Sequence, residues 1–158
     1  MKKSFLFCLT LGLILFFQTE TKAQEYRNAI GGRFGVSNGI TFKTFLNDTQ
    51  ALDFILNFRS TNNYSAFRLV GLYEVHAPVS DLKGLNWFYG GGGSLGSVRN
   101  KVSDNDEFAV SLDGVLGLDY KFTDAPINLS LDWKPAINIS PRTEFDGEGL
   151  GLSLRFTF

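Results

Sequence analysis

The chain has 158 residues and a formal net charge of −1, with 16 phenylalanines, 17 glycines, one cysteine and one histidine. That length holds one domain and not two. The absence of a basic patch excludes nucleic acid as a partner, and one cysteine excludes a disulfide framework or a cysteine-built metal site.

Lys2 and Lys3 precede an apolar run from Phe5 to Phe17, broken only by Cys8, Thr10 and Gly12. Thr21 and Ala23 then supply small residues where a signal peptidase reads. The pattern is that of a secretory signal peptide over 1–23, cleaved between Ala23 and Gln24. Its apolar run is too short for a spanning helix, which needs about 20 residues. Cys8 lies inside that run and not at its end, so it is no lipoprotein acylation site. The remaining domain, 24–158, has no cysteine and a charge of −3, because the leader removes three lysines and one glutamate. An exported domain of this size without disulfides needs another source of stability, and membrane embedding would provide one.

Beyond the leader, apolar and polar residues alternate with a period of two, the signature of half-buried strands. In chain order, Ile30, Phe34 and Val36 oppose Arg33, and Ile40, Phe42 and Leu46 oppose Thr41 and Lys43. Leu52, Phe54, Leu56 and Phe58 oppose Asp53 and Asn57; Phe67, Leu69, Tyr73 and Val75 oppose Arg68, Glu74 and His76. Trp87, Tyr89 and Leu95 mark a glycine-rich strand over 86–97. Phe108, Val110, Leu112, Leu116, Leu118 and Tyr120 oppose Ser111, Asp113, Asp119 and Lys121. Ile127, Leu129, Leu131 and Trp133 oppose Asn128, Ser130, Asp132 and Lys134. Last, Leu150, Leu152, Leu154, Phe156 and Phe158 oppose Gly149, Gly151, Ser153, Arg155 and Thr157. Turn-forming residues separate these eight strands, with the longer connections expected over 59–65, 77–84, 98–107 and 140–148.

Alternation alone does not tell a membrane barrel from a soluble one. Three features favour the membrane. The strands are about 8–12 residues long, the length a tilted strand needs to cross a bilayer core. The polar face mixes charges of both signs with small residues, which suits the narrow interior of an eight-stranded barrel. The apolar stripes end in aromatics, as interfacial girdles do. The expected fold is all-β: an eight-stranded antiparallel up-and-down transmembrane barrel. Tyr73, Trp87, Tyr89, Tyr120, Phe122 and Phe156, with Phe158, form the expected periplasmic girdle. Phe34, Phe58, Phe67 and Phe108 lie nearer the outer rim.

The sequence closes on Leu154-Arg155-Phe156-Thr157-Phe158. This resembles the last strand by which outer-membrane proteins are recognised for insertion, with Leu154, Phe156 and Phe158 as the signal. Ser153 stands where that pattern often has glycine. Gly-Ile-Thr-Phe-Lys at 39–43, Leu-Asn-Trp-Phe-Tyr-Gly-Gly-Gly at 85–92 and Leu-Asp-Trp-Lys-Pro at 131–135 resemble the small outer-membrane β-barrel proteins of Gram-negative bacteria, OmpA- and OmpX-like. The resemblance implies a bacterial outer-membrane location, contact with outer-membrane lipids, and the outer-membrane insertion machinery as a partner during assembly. It brings no reaction and no cofactor.

Arg33, Lys43, Asp53, Arg68, Glu74, Asp113, Asp119, Lys121, Asp132, Lys134 and Arg155 share the polar face. Charges enclosed together must pair, so a salt-bridged, closed lumen is expected. His76 is expected as a solvated or hydrogen-bonded residue at the rim. Gly90 to Gly93 lacks the Gly-Lys-Ser/Thr of a phosphate loop, and its glycines are expected to admit bends and bulky luminal neighbours. Asp104, Asp106 and Glu107 lack calcium-loop spacing. Pro135 must sit at a bulge or near the outer rim. These readings point to a non-enzymatic structural or accessory barrel, or one that binds an envelope protein. The alternatives are a narrow porin for small solutes and, less favoured, a lipid-modifying enzyme.

Overall fold

The computed structural model describes residues 26–102 and 105–158. The signal peptide over 1–23, the cleavage before Gln24, and Asp104 lie outside the described residues. The strands are β1 (Asn28–Gly35), β2 (Asn38–Phe45), β3 (Gln50–Ser60), β4 (Tyr64–Pro78), β5 (Leu85–Asn100), β6 (Asn105–Lys121), β7 (Ile127–Trp133), β8 (Ala136–Ser140), β9 (Glu144–Asp146) and β10 (Leu150–Thr157). Every pairing is antiparallel, and β1 closes on β10 from Ala29↔Thr157 to Gly35↔Gly151. Strands β7 and β8 form one interrupted stave, and β9 and β10 another. The result is a closed barrel of eight staves.

The stagger of the barrel can be read from the paired residues. From Ala29 the ladders lead across Lys43, Asp53, Leu72, Gly92 and Asp113 to Ala136. Ala136 lies four residues beyond Asp132, and Asp132 stands through Gly151 opposite Gly35, six residues beyond Ala29. The shear is therefore ten residues. A shear of 8 for eight strands gives a tilt of about 36°, so these strands tilt somewhat more, roughly 40–45°.

Local chemistry sets the turns. Asn47 accepts hydrogen bonds at its side-chain oxygen from the amides of Thr49 and Gln50, at 3.0 and 2.9 Å. This Asx turn closes the β2–β3 hairpin and fixes its register. The strands reach well into the connections expected as loops. Strands β3 and β4 are paired up to Ser60↔Ser65, and β5 and β6 up to Asn100↔Asn105. Polar residues at those tips still pair their backbones.

Pro135 also differs from expectation in detail. Register along β6 is unchanged across it, from Leu116↔Trp133 to Asp113↔Ala136. The Pro135 carbonyl accepts from Gly114 at 2.8 Å, so only the missing donor of proline is lost on that side. The extra residue lies on the next stave, where 147–149 face Lys134 and Pro135 between Leu150↔Trp133 and Ala136↔Asp146. The glycines of β5 have a different task from the one expected. A Cβ on Gly92 would fall 1.9 Å from the Gly71 carbonyl oxygen of β4. Backbone approach, not a bulky luminal side chain, requires glycine there.

Side chains alternate strictly across the wall. In β10 the odd-numbered residues are buried and the even-numbered ones exposed. The lumen also holds an apolar belt that was not anticipated, formed by Ile55, Val70, Leu72, Phe88 and Val115.

Candidate functional site

The lumen gathers most of the expected charged residues into two groups. Call the end of the barrel that holds Asn28 and Thr157 the near end, and the end with the β1–β2 turn the far end.

The first group lies toward the near end. Arg155 on β10 points inward because it is flanked by outward Leu154 and Phe156. Its guanidinium donates to Asp53 Oδ2 at 2.8 Å, Ser130 Oγ at 2.6 Å, Thr41 Oγ1 at 3.1 Å and Asn128 Oδ1 at 3.3 Å. Thr41 in turn donates to the other Asp53 oxygen at 2.6 Å. Lys43 Nζ lies 2.7 Å from Glu74, 3.7 Å from Asp119 and 3.8 Å from Asp53. Asn128 donates to Asp119 at 2.7 Å. All these charges are buried. Buried charge persists only when it is compensated, and each member of this group has an ion-pair partner within 4 Å: Arg155 with Asp53, and Lys43 with Glu74, Asp119 and Asp53.

The second group lies toward the far end. Arg33 holds Asp132 with two parallel hydrogen bonds of 2.5 and 2.6 Å, and Lys134 donates to Asp113 at 2.9 Å. Gly151 gives the Arg33 guanidinium its room: a Cβ there would fall 2.3 Å from Arg33 Cζ.

Two of the eleven residues stand apart. Lys121 lies at the near rim and donates to the carbonyls of Phe122 and Ala125 at 2.5 and 2.8 Å. It caps a turn and joins neither group. Arg68 is half-buried at the far end and donates to Asn138 at 3.3 Å.

His76 departs from the solvated part of its expectation. It is 1 % exposed, and its Nε2 lies 3.0 Å from Glu74 Oε2. The reason is an aromatic stopper in the near half of the lumen. The rings run Tyr26, Phe45, His76, Phe88 with centroid spacings of 5.2, 5.0 and 5.0 Å, and Lys43 Nζ sits 4.4 Å from the Phe88 centroid. Burial, assisted by the Asp119 carboxylate, pushes the Tyr26 phenol well above its ordinary pKa, so the ring closes this end uncharged. Tyr26, Phe45 and Phe88 were missed in the sequence. Strict parity would have found Phe45 and Phe88, which share the alternation of Lys43 and Asn86.

The outer face has the opposite chemistry. Tyr73, Tyr89, Phe122 and Phe156 are exposed in the near half, and Trp87 and Tyr120 share their face. Rings pair as Trp87–Tyr89, Tyr120–Phe122 and Phe156–Phe158, with centroids 5.4, 4.8 and 6.5 Å apart. Phe34, Phe58, Phe67 and Phe108 are exposed toward the far end, together with Phe145. Leu154, Phe156 and Phe158 point outward, and Phe158 exchanges backbone hydrogen bonds with Asn28 at 2.9 and 2.8 Å. Along the strands, the only charged side chains on the outward face are Arg99 and Asp106, which pair at 3.6 Å beside the tip of the β5–β6 hairpin. Below them the belt carries no Lys, Arg, Asp, Glu or His among the described strand residues.

A scan of protein-family models and a search of curated proteins find no match to this chain. Solved structures do match. The N-terminal β-barrel domain of Pseudomonas aeruginosa OprF superposes with a TM-score of 0.65 at 17% identity, over 83% of this chain and 95% of that one. Neisserial surface protein A superposes with a TM-score of 0.57 at 14% identity, over 83% of this chain and 93% of that one. At such identities the likeness is one of fold. The chain has the closed, antiparallel, eight-stranded architecture of outer-membrane β-barrels, as the alternation of its sequence anticipates.

Proposed function

We propose that this chain is a non-enzymatic structural or accessory barrel of the bacterial outer membrane, closed through its lumen, that serves envelope integrity or holds an envelope partner at its rim. One observation carries this reading. Nine charged side chains of the staves, Arg33, Lys43, Asp53, Glu74, Asp113, Asp119, Asp132, Lys134 and Arg155, are turned inward and buried in ion pairs, while an uncharged belt of Leu, Ile, Val and aromatic residues encircles the outside. A monomer in water rarely exposes an apolar patch larger than about 300–600 Å², and a belt around a whole barrel exceeds that. In a bilayer the same belt is buried, and its backbone is satisfied because the barrel has no edge.

The lumen supports closure. Arg155 crosses it from β10 to β3, Arg33 reaches past β10 from β1 to Asp132 on β7, and the aromatic rings share the near half with the Arg155 and Lys43 group. A continuous water path would have to displace paired charges. The test is to fractionate cells and to record purified protein in planar bilayers. The reading expects outer-membrane recovery, a gel mobility that changes on boiling, and no steady conductance. Recovery as a soluble periplasmic protein rejects the membrane assignment. Large, ion-selective conductance from the unmodified chain promotes the narrow-porin alternative.

A further inference from the structure

The barrel wall is uneven in height. At the near end adjacent strands finish together, as the bonds Asn28 to Phe158, Phe45 to Arg27, His76 to Thr49 and Lys121 to Gly84 show. At the far end they do not. Strands β1 and β2 have 8 residues each, whereas β5 and β6 on the opposite wall have 16 and 17. At about 3.3 Å per residue and a tilt of roughly 40–45°, the β1–β2 turn lies on the order of 15–20 Å below the β5–β6 tip. The wall at that turn is shorter than the hydrocarbon core of about 30 Å, so the far mouth opens sideways into the bilayer.

A cavity of about 170 Å³ lies behind this notch. Val36 and Ser37 of the β1–β2 turn form its sill, with Leu150 beside them, and Asn57 lies deeper in it. Four cations line it against the single carboxylate of Asp146. Two of them, Arg33 and Lys134, are taken by Asp132 and Asp113. The other two are not. Among the described residues Arg59 and Arg68 have no ion-pair partner; Arg59 lies 5.7 Å from the Tyr64 ring centroid, and Arg68 has the one long bond to Asn138. The guanidinium fork matches phosphate oxygens in a way that a lysine does not.

We propose that this pocket binds the phosphate headgroup of an anionic lipid from the surrounding leaflet, entering over the β1–β2 turn, with Arg59 and Arg68 as the phosphate-binding pair. The sideways opening and the apolar sill favour a lipid-borne phosphate over a free one, because the acyl chains can stay in the bilayer while the headgroup enters. The proposal rests on the membrane reading above.

The test uses the barrel in nanodiscs of phosphatidylcholine doped with phosphatidic acid, a probe for lipid-borne phosphate, with retained lipid measured by native mass spectrometry. The unmodified chain should retain phosphatidic acid over phosphatidylcholine by about tenfold, and Arg59→Gln/Arg68→Gln should abolish the preference. Arg99→Gln, outside the pocket, should leave it intact. A gel mobility that changes on boiling, as for the unmodified chain, confirms that the double variant is folded. Equal loss in Arg99→Gln would overturn the proposal in favour of a diffuse surface field. Binding of inorganic phosphate without lipid enrichment would overturn the lipid source. No enrichment in discs that contain the barrel contradicts the pocket assignment alone, whereas failure to enter discs contradicts the membrane reading and the lipid proposal together.

Discussion

Arg155 on β10 and Asp53 on β3 meet across the barrel interior, Nη2 to Oδ2 at 2.8 Å, although 102 residues separate them in sequence. The contact ties the closing stave to the third one. Both partners are buried, so removal of either leaves an uncompensated charge. Arg155→Ala should lower stability by about 3–5 kcal/mol, the range for breaking one side of a buried pair. Urea unfolding of the refolded barrel in detergent measures it. A loss below about 1 kcal/mol, typical of exposed pairs, would mean that water reaches this pair.

Gly151 and Arg33 form a second coupled site. Alanine at 151 places a methyl group 2.3 Å from Arg33 Cζ and forces the guanidinium off Asp132. Gly151→Ala should destabilise the barrel by about 1–3 kcal/mol, the usual scale of overpacking. In an Arg33→Ala background the same change should cost little, because the obstacle is gone. Additive losses in this double-mutant cycle would show that Gly151 is needed for backbone reasons instead.

The sequence carried the fold because lipid and lumen impose opposite demands on alternate residues. Leu150 to Phe158 shows this most clearly: one face is purely apolar, the other Gly, Ser, Arg and Thr. Strand length was less legible. Beyond the membrane the staves need no apolar face, so the paired tips at Ser60, Ser65, Asn100 and Asn105 read as loop. The charged lining was visible by parity, but its division into two groups was not, since that depends on the shear. Ile55, Val70, Leu72 and Val115 were hidden for another reason. Each lies between outward residues that are also apolar or glycine, so local composition cannot say which face is the lumen. The cationic notch was illegible in the sequence because it arises from unequal stave heights.

Phe158 separates assembly from stability. Its ring is outward and 61 % exposed, while its backbone seals the seam to Asn28. Phe158→Ala keeps that backbone and removes only the ring, worth roughly 1–3 kcal/mol if fully buried in lipid. Refolding into detergent should therefore be nearly normal. If Leu154, Phe156 and Phe158 are also read during insertion, the variant should accumulate several-fold less in the outer membrane of cells, with processed protein left in the periplasm. Normal levels in cells would reduce Phe158 to a girdle residue.

A membrane barrel requires the apolar belt to face lipid. The chain has two tryptophans, both on that belt. Trp87 is the third residue of β5, at the near end, and Trp133 lies midway along the interrupted β7–β8 stave, 41 % exposed. Single-tryptophan variants, Trp133→Phe and Trp87→Phe, report each position separately in vesicles of brominated phosphatidylcholine. Bromines deep in the acyl chains should quench Trp133 more strongly than Trp87, bromines near the headgroup should reverse the order, and aqueous iodide should quench neither appreciably. Efficient quenching of both by iodide, with no response to bromine at any depth, would contradict the membrane barrel.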